Sequence, residues 1–110
     1  MNLDEIKSKN KSYSKEQVNF VDYCLRRMDE RQITKEDIFK FLFGNNLLKS
    51  EIQEIPYRGE TETRHKLTYK FSSKYYLIII ISYEERVLNV INVIKTSKNL
   101  EKKWRKRISR

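Results

Sequence analysis

The chain has 110 residues, which is enough for one domain with a single hydrophobic core and no disulfide bridges. Its formal net charge is +9, and its one cysteine, Cys24, excludes an intramolecular disulfide. The usual zinc site is also excluded, because one histidine and one cysteine cannot supply its ligands.

The first half of the chain is predicted to be helical after a short polar lead-in. Residues 1–13 are expected to be flexible, with a short helical turn at Leu3–Ile6. Ser14 and Gln17 have the spacing of a capping box, so a helix is predicted over residues 15–31. Four apolar residues recur on one face of this helix: Val18, Val21, Leu25 and Met28.

A second helix is predicted to begin after the cap residue Thr34 and to end at Gly44. Glu36 and Asp37 occupy its first turn, where negative charge interacts favourably with the helix dipole. The helix is rich in apolar residues, which are Ile38, Phe39, Phe41, Leu42 and Phe43. Two short helices of this kind would cover one face of a sheet.

Four strands are predicted in the second half of the chain. The first, over residues 47–57, is irregular and contains the only proline, Pro56, which favours a position at the edge of the sheet. After a turn at residues 58–63, apolar and polar side chains alternate over His65–Phe71, as in a strand with one buried face.

The third strand is predicted from the uncharged run Tyr75–Tyr83, which includes four consecutive isoleucines. This run lacks polar alternation and is therefore expected to be covered on both faces, as is the fourth strand, Val87–Ile94. Short connections between consecutive strands predict an antiparallel meander.

Thr96-Ser97 is predicted to cap a last helix, in which Leu100, Trp104 and Ile108 recur every four residues and most other residues are basic. The fold class predicted for the single domain 1–110 is therefore α+β. Two N-terminal helices pack on an antiparallel β-meander of about four strands, and a basic helix follows at the C-terminus.

Positive charge is concentrated in the second half of the chain. Residues 1–55 are neutral overall, and residues 56–110 carry the whole excess of +9. Such a one-sided charge is typical of proteins that bind RNA or DNA, and a solvated tail is the alternative. The residues predicted to contact nucleic acid are Lys66, Lys98, Lys102, Arg105 and Lys106.

The single cysteine favours a reducing compartment, and the charged N-terminus lacks the apolar segment of a secretory signal. We therefore expect a cytoplasmic protein. Membrane binding by the last helix is disfavoured, because one tryptophan and two aliphatic residues offer little area for insertion. The sequence does not determine the oligomeric state.

The run Arg27–Ile38, RMDERQITKEDI, resembles the opening signature of a family of small prokaryotic domains of unknown function. Together with the pair Lys103-Trp104, the resemblance covers roughly residues 18–104. This family is grouped by fold with the RelE, BrnT and MqsR-like toxins, many of which cleave messenger RNA. The family commonly has a histidine where this chain has Tyr23, so the role of that histidine is not carried over.

The resemblance implies a RelE-like fold, an RNA substrate and an acidic antitoxin protein as partner. Cleavage by the RNA 2′-hydroxyl needs a proton acceptor, a proton donor and cations around the phosphorane, and no metal or cofactor is expected. The residues predicted to supply these groups are His65, Arg64, Arg86 and Lys95. His65 is the best single candidate because imidazole titrates near neutrality. It is two residues from Leu67 and so shares the predicted buried face of the strand, which also fits a structural role.

Several interpretations stay open from the sequence. Arg27 and Arg31 share a helix face and form either a phosphate clamp or a salt-bridged surface. Tyrosines at four positions either stack on bases or pack in the core, and these are Tyr69, Tyr75, Tyr76 and Tyr83. The protein is thus predicted to be a metal-independent endoribonuclease, a non-catalytic nucleic-acid-binding or regulatory protein, or a protein-interaction module.

Overall fold

The computed structural model describes residues 1–97. The helices and strands in this range are α1 (Leu3–Lys11), a 3-10 turn (Lys15–Gln17), β1 (Val18–Phe20), α2 (Asp22–Glu30), α3 (Lys35–Leu42), β2 (Leu47–Tyr57), β3 (Glu60–Lys70), β4 (Tyr75–Tyr83) and β5 (Leu88–Ser97). The predicted α+β class is confirmed. The predicted C-terminal helix lies outside the described residues, as do Lys98, Lys102, Arg105 and Lys106.

The described strands form one mixed sheet in the order β1-β5-β4-β3-β2. β2 to β5 make the predicted antiparallel meander, with β2 at one edge. β1 joins the other edge and runs parallel to β5, with Val18 opposite Leu88. The described sheet therefore has five strands, one more than the sequence predicted.

β1 arises from residues that the sequence assigned to a long helix. The Ser14–Gln17 capping box does form, but it begins a single 3-10 turn. Val18 and Phe20 are then buried while Asn19 is exposed, which is the period of a strand. The helix that follows is α2, which starts at Asp22 and is shorter than the predicted helix 15–31.

α1 differs from the flexible lead-in expected at residues 1–13. Asn2 accepts a hydrogen bond from the backbone of Glu5, and the Glu5 side chain accepts one from the backbone of Asn2, which completes a capping box. The helix is held to the core by Ile6, which is fully buried. Three helices, rather than two, therefore precede the meander.

The hydrophobic core lies between the helices and one face of the sheet. In β4 the residues facing this core, Leu77, Ile79 and Ile81, are buried, whereas Ile78 and Ile80 on the opposite face are half-buried. The core contains helix residues from one side of the sheet only. The cover predicted for both faces of β4 is thus present on one face within residues 1–97.

α3 forms where the sequence predicted it. Thr34 and Asp37 cap it reciprocally, and Gly44 follows its last turn. A Cβ atom on Gly44 would lie 2.6 Å from the carbonyl oxygen of Lys40, so the close approach of backbone explains the glycine. None of the helices within residues 1–97 is long and apolar enough to cross a membrane.

Candidate functional site

The structure does not bring the four predicted catalytic residues together. His65 lies on the core face of β3, so its neighbour Arg64 lies on the opposite face. Lys95 pairs with Leu77 of β4, four residues from Ile81, the partner of His65. That offset corresponds to about 14 Å along the strand. A single phosphate cannot contact all these residues in this arrangement.

Arg64 and Arg86 lie at the same end of the sheet but outside the core. Arg64 forms a 3.0 Å ion pair with Glu62 and lines a cleft of about 490 Å³ that also contains Glu60 and Glu84. These carboxylates would repel a phosphate. Arg86 is exposed in the connection between β4 and β5.

Lys95 and Lys66 are engaged by other residues of the sheet. The ammonium of Lys95 lies 4.7 Å from the ring centroids of both Phe71 and Tyr75. Lys66 is half-buried, faces away from the core and pairs with Glu51 of β2. Its positive charge contributes to lowering the pKa of Glu51, although the hydrogen bond from Lys49 is the larger cause. The Lys66 side chain thus lies on the face of β3 opposite to that of His65, and Lys95 lies four residues further along the sheet.

His65 instead belongs to a group of side chains under the C-terminal end of α1. It is only 6% exposed, and its ring meets the ring of Tyr83 edge-on with centroids 5.0 Å apart. Its Nδ1 has no hydrogen-bond partner within the described part of the chain. The Tyr83 hydroxyl donates to Oδ1 of the buried Asn10 at 2.6 Å.

Lys9 and Tyr13 complete this group. The Lys9 ammonium lies 4.4 Å from the centroid of the Tyr83 ring, and Tyr13 stacks on Tyr83 with centroids 6.1 Å apart. The Tyr13 hydroxyl donates to the carbonyl oxygen of Glu84 at 2.9 Å. We call the five residues the sheet-end cluster: Lys9, Asn10, Tyr13, His65 and Tyr83.

The sheet-end cluster borders an open cleft of about 460 Å³. Lys9, Tyr13 and Tyr83 line the cleft, whereas His65 lies behind the Tyr83 ring. The other residues that line it are Ser12, Gln17, Glu84 and Glu85. The lining of the cleft therefore includes one cation, two aromatic rings and two carboxylates.

The electrostatic environment keeps His65 neutral and Tyr83 protonated. Burial lowers the pKa of His65, and the positive charges of Lys9 and the N-terminal amine lower it further. Burial is also the main reason that the pKa of Tyr83 is raised. At neutral pH the cluster thus holds an imidazole that can accept a proton and a phenol that can donate a hydrogen bond.

We expect the free energy of unfolding to fall as the pH is lowered from about 7 towards 5, in the range where an unperturbed histidine titrates. The unfolded chain binds a proton at His65 more readily than the folded chain does, so acid favours unfolding. Urea unfolding at a series of pH values would measure this. His65 is the only histidine, so a His65→Asn variant should show a weaker dependence over this range. An unchanged dependence in the variant would contradict the assignment.

The sequence did not predict Lys9, Asn10 and Tyr13 as site residues, because they were assigned to a flexible lead-in. Two signals could have identified α1: the pair Asn2 and Glu5 at capping-box spacing, followed directly by the apolar Ile6. Nothing in the local sequence indicates that α1 packs beside His65, which lies more than fifty residues away along the chain.

Arg27 and Arg31 make intramolecular contacts that support the structural interpretation over the phosphate clamp. The Arg27 Nε donates to the hydroxyl of Tyr23 at 2.9 Å, and its Nη1 forms an ion pair with Glu30 at 3.4 Å. Arg31 Nη1 donates to the carbonyl oxygen of Val93 at 2.8 Å, which ties α2 to β5. The Arg27 guanidinium thus contacts its own helix, and that of Arg31 joins the end of α2 to the sheet.

No protein-family model, no curated protein and no solved structure matches this chain. Among residues 1–97 no group of three or more histidine, cysteine, aspartate or glutamate side chains is placed to hold a metal ion. The similarity of Arg27–Ile38 to the toxin-related family remains a prediction from the sequence. The sheet-end cluster and the charge of the chain are therefore the features of the molecule that bear on its function.

Proposed function

We propose that this protein is a cytoplasmic RNA-binding domain of the RelE/BrnT-like type. The observation that carries the proposal is the cleft at the sheet-end cluster, where the Lys9 ammonium lies beside the rings of Tyr13 and Tyr83. A cation attracts the phosphate backbone, and aromatic side chains stack on unpaired bases. Single-stranded RNA offers both groups at once.

The charge of the chain supports the same proposal. Residues 98–110 contain seven lysine and arginine residues and one glutamate, so they contribute +6 of the net +9. Lys98, Lys102, Arg105 and Lys106 of this segment would add phosphate contacts to those of Lys9. Binding that depends on such contacts releases counterions and weakens as the salt concentration rises.

The test is binding of a labelled single-stranded RNA, measured by fluorescence anisotropy over a range of salt concentrations. We expect Lys9→Gln to weaken binding and to lower the slope of log K against log salt by about 0.7, the value for one phosphate of a single strand. Lys40→Gln, an exposed change on α3 with the same loss of charge, is the matched control and should leave the slope unchanged. A single-stranded DNA of the same sequence tests the choice of RNA.

Binding that is absent, or that does not respond to salt, would refute the proposal. Equal effects of Lys9→Gln and Lys40→Gln would show that binding does not use the cleft. The location of the RNA would then have to be sought on the basic residues 98–110.

A second candidate function, endoribonuclease activity, is favoured by the neutral imidazole of His65. In this reaction the 2′-hydroxyl attacks the adjacent phosphorus as its proton passes to the imidazole. The bond from phosphorus to the 5′-oxygen breaks, the 5′-oxygen takes a proton from water, and a 2′,3′-cyclic phosphate remains. Lys9 would stabilise the charge on the phosphorane. Because His65 lies behind Tyr83, the Tyr83 ring has to move before RNA can reach the imidazole.

The same RNA, incubated with the protein and resolved on a denaturing gel, distinguishes the two candidates. Discrete fragments that disappear with His65→Asn would establish the nuclease, and Arg86→Ala tests the exposed arginine of the β4–β5 connection. RNA that stays intact but binds in a salt-sensitive way would support the non-catalytic binding protein instead. An acidic antitoxin protein is the partner proposed for a nuclease, since it would neutralise the basic chain.

A further inference from the structure

β2 forms a long edge of the described sheet. It pairs with β3 on one side, and no described strand pairs with its other side. The strand runs from Leu47 to Tyr57, so its outer side presents a row of backbone donors and acceptors. Such an edge is a template for pairing with another strand.

Side chains on this edge are apolar and charged in a symmetrical pattern. Leu48 is 51% exposed and Ile52 is 56% exposed, which places both among the most exposed large apolar residues of the described chain. Between them, Lys49 and Glu51 are also solvent-accessible and form a 2.7 Å ion pair within the strand. Ser50 is the centre of the pattern.

A second copy of the chain matches this pattern. When two identical strands pair antiparallel about a two-fold axis perpendicular to the sheet, residues at equal distances from the axis oppose each other. With the axis at Ser50, Lys49 faces Glu51 of the second copy, and Glu51 faces its Lys49. Leu48 faces Ile52 in the same way, so charges and apolar side chains are both matched.

Neighbouring symmetrical registers do not match in this way. An axis at Lys49 or at Glu51 places two like charges opposite each other, which is unfavourable. An axis at Ile52 places Leu48 opposite Pro56, which cannot donate a hydrogen bond, and leaves the two charged residues without each other. With the axis at Ser50 the overlap is residues 47–53, so Pro56 falls outside it.

We propose that β2 pairs antiparallel with β2 of a second copy, with the two-fold axis at Ser50, to form a homodimer with one continuous ten-stranded sheet. The axis maps each face of the sheet onto itself, so the helices of both copies lie on the same side. The register shift between Leu47 and Lys49 marks one end of the regular strand. The dimer therefore depends on residues 49–51, flanked by the contacts of Leu48 with Ile52.

Charge reversal at the paired positions tests the dimer and its register. Lys49→Glu places acidic residues at both positions 49 and 51, and Glu51→Lys places basic residues at both. By symmetry each change turns two attractive pairs into repulsive ones, so we expect either variant to weaken dimerisation by about tenfold or more. An equimolar mixture of the two should form a heterodimer, because each acidic residue then faces a basic one.

Analytical ultracentrifugation over a range of concentrations measures these equilibria. The double variant Lys49→Glu/Glu51→Lys should dimerise like the unchanged protein. Glu54→Lys is the matched control, because it alters the same strand by the same charge but lies beyond the overlap. Far-UV circular dichroism checks that each variant is folded.

The proposal is overturned if the unchanged protein stays monomeric at every concentration. It is also overturned if a dimer persists unweakened in both single variants, or if their mixture associates no better than either alone. Recovery of association in the mixture, with Glu54→Lys unaffected, is the result that supports this edge and this register.

Discussion

Replacement of Ile79 by alanine is expected to lower the free energy of unfolding by about 2–5 kcal/mol, whereas the same change at its neighbour Ile80 should cost about 1 kcal/mol. Ile79 is fully buried against the helices, so its loss leaves a cavity in the core. Ile80 points to the opposite face of β4 and is half-buried. Both variants lose the same atoms from an isoleucine side chain. Urea unfolding measures and compares their free energies of unfolding.

Equal losses at Ile79 and Ile80 would contradict this expectation. They would mean that the second face of the sheet is as well packed as the core. Since the described core uses helix residues on one side only, the extra cover would then have to come from residues outside 1–97 or from a partner.

Ile6→Ala should have an effect of similar size, about 2–5 kcal/mol, although it lies near the N-terminus. The side chain is fully buried between α1 and the rest of the core. Its loss also weakens the docking that positions Asn10 against Tyr83. Urea unfolding measures the change, and an absence of cooperative unfolding would be the extreme form of the same result.

Ser8→Ala provides the control for Ile6→Ala, because Ser8 is an exposed residue of the same helix. Its effect should stay within about 0.5 kcal/mol. If Ile6→Ala were equally mild, α1 would not be packed on the sheet in solution, and the sheet-end cluster would lose Lys9 and Asn10, two of its five residues.

The sequence predicted those elements whose signals are local. The cap at Thr34 and the stop at Gly44 define α3 from within a dozen residues. The alternation over His65–Phe71 places His65 and Leu67 on the same buried face, as the structure confirms. Pro56 indicated an edge strand, and β2 is at the edge of the described sheet.

Elements that depend on distant partners could not be predicted in this way. The Ser14–Gln17 box is compatible with a long helix or with one turn, and only the pairing of Val18 with Leu88 selects the strand. Propensity alone therefore favoured the wrong structure for residues 18–20. The same limit applies to α1, whose stability comes from burial of Ile6.

The candidate site could be predicted only in part, because its residues also come from distant segments of the chain. The alternation of apolar and polar residues predicted that His65 is buried. The pairing of β5 with β4, however, places Lys95 opposite Leu77, four residues along β4 from Ile81, the partner of His65. Lys9 and Asn10 join the cluster through their contacts with Tyr83, which is more than seventy residues away along the chain. Tertiary packing, rather than any local pattern, thus assembles the cluster.

The parallel pairing of β1 with β5 also determines the order in which the sheet can be completed. Val18 and Leu88 are separated by 70 residues, whereas the hairpins of the meander close over a few. Closing the longer loop costs roughly 2 kcal/mol more in chain entropy than closing one of about ten residues. Folding should therefore begin with the meander, and β1 should be the last strand to pair with the sheet.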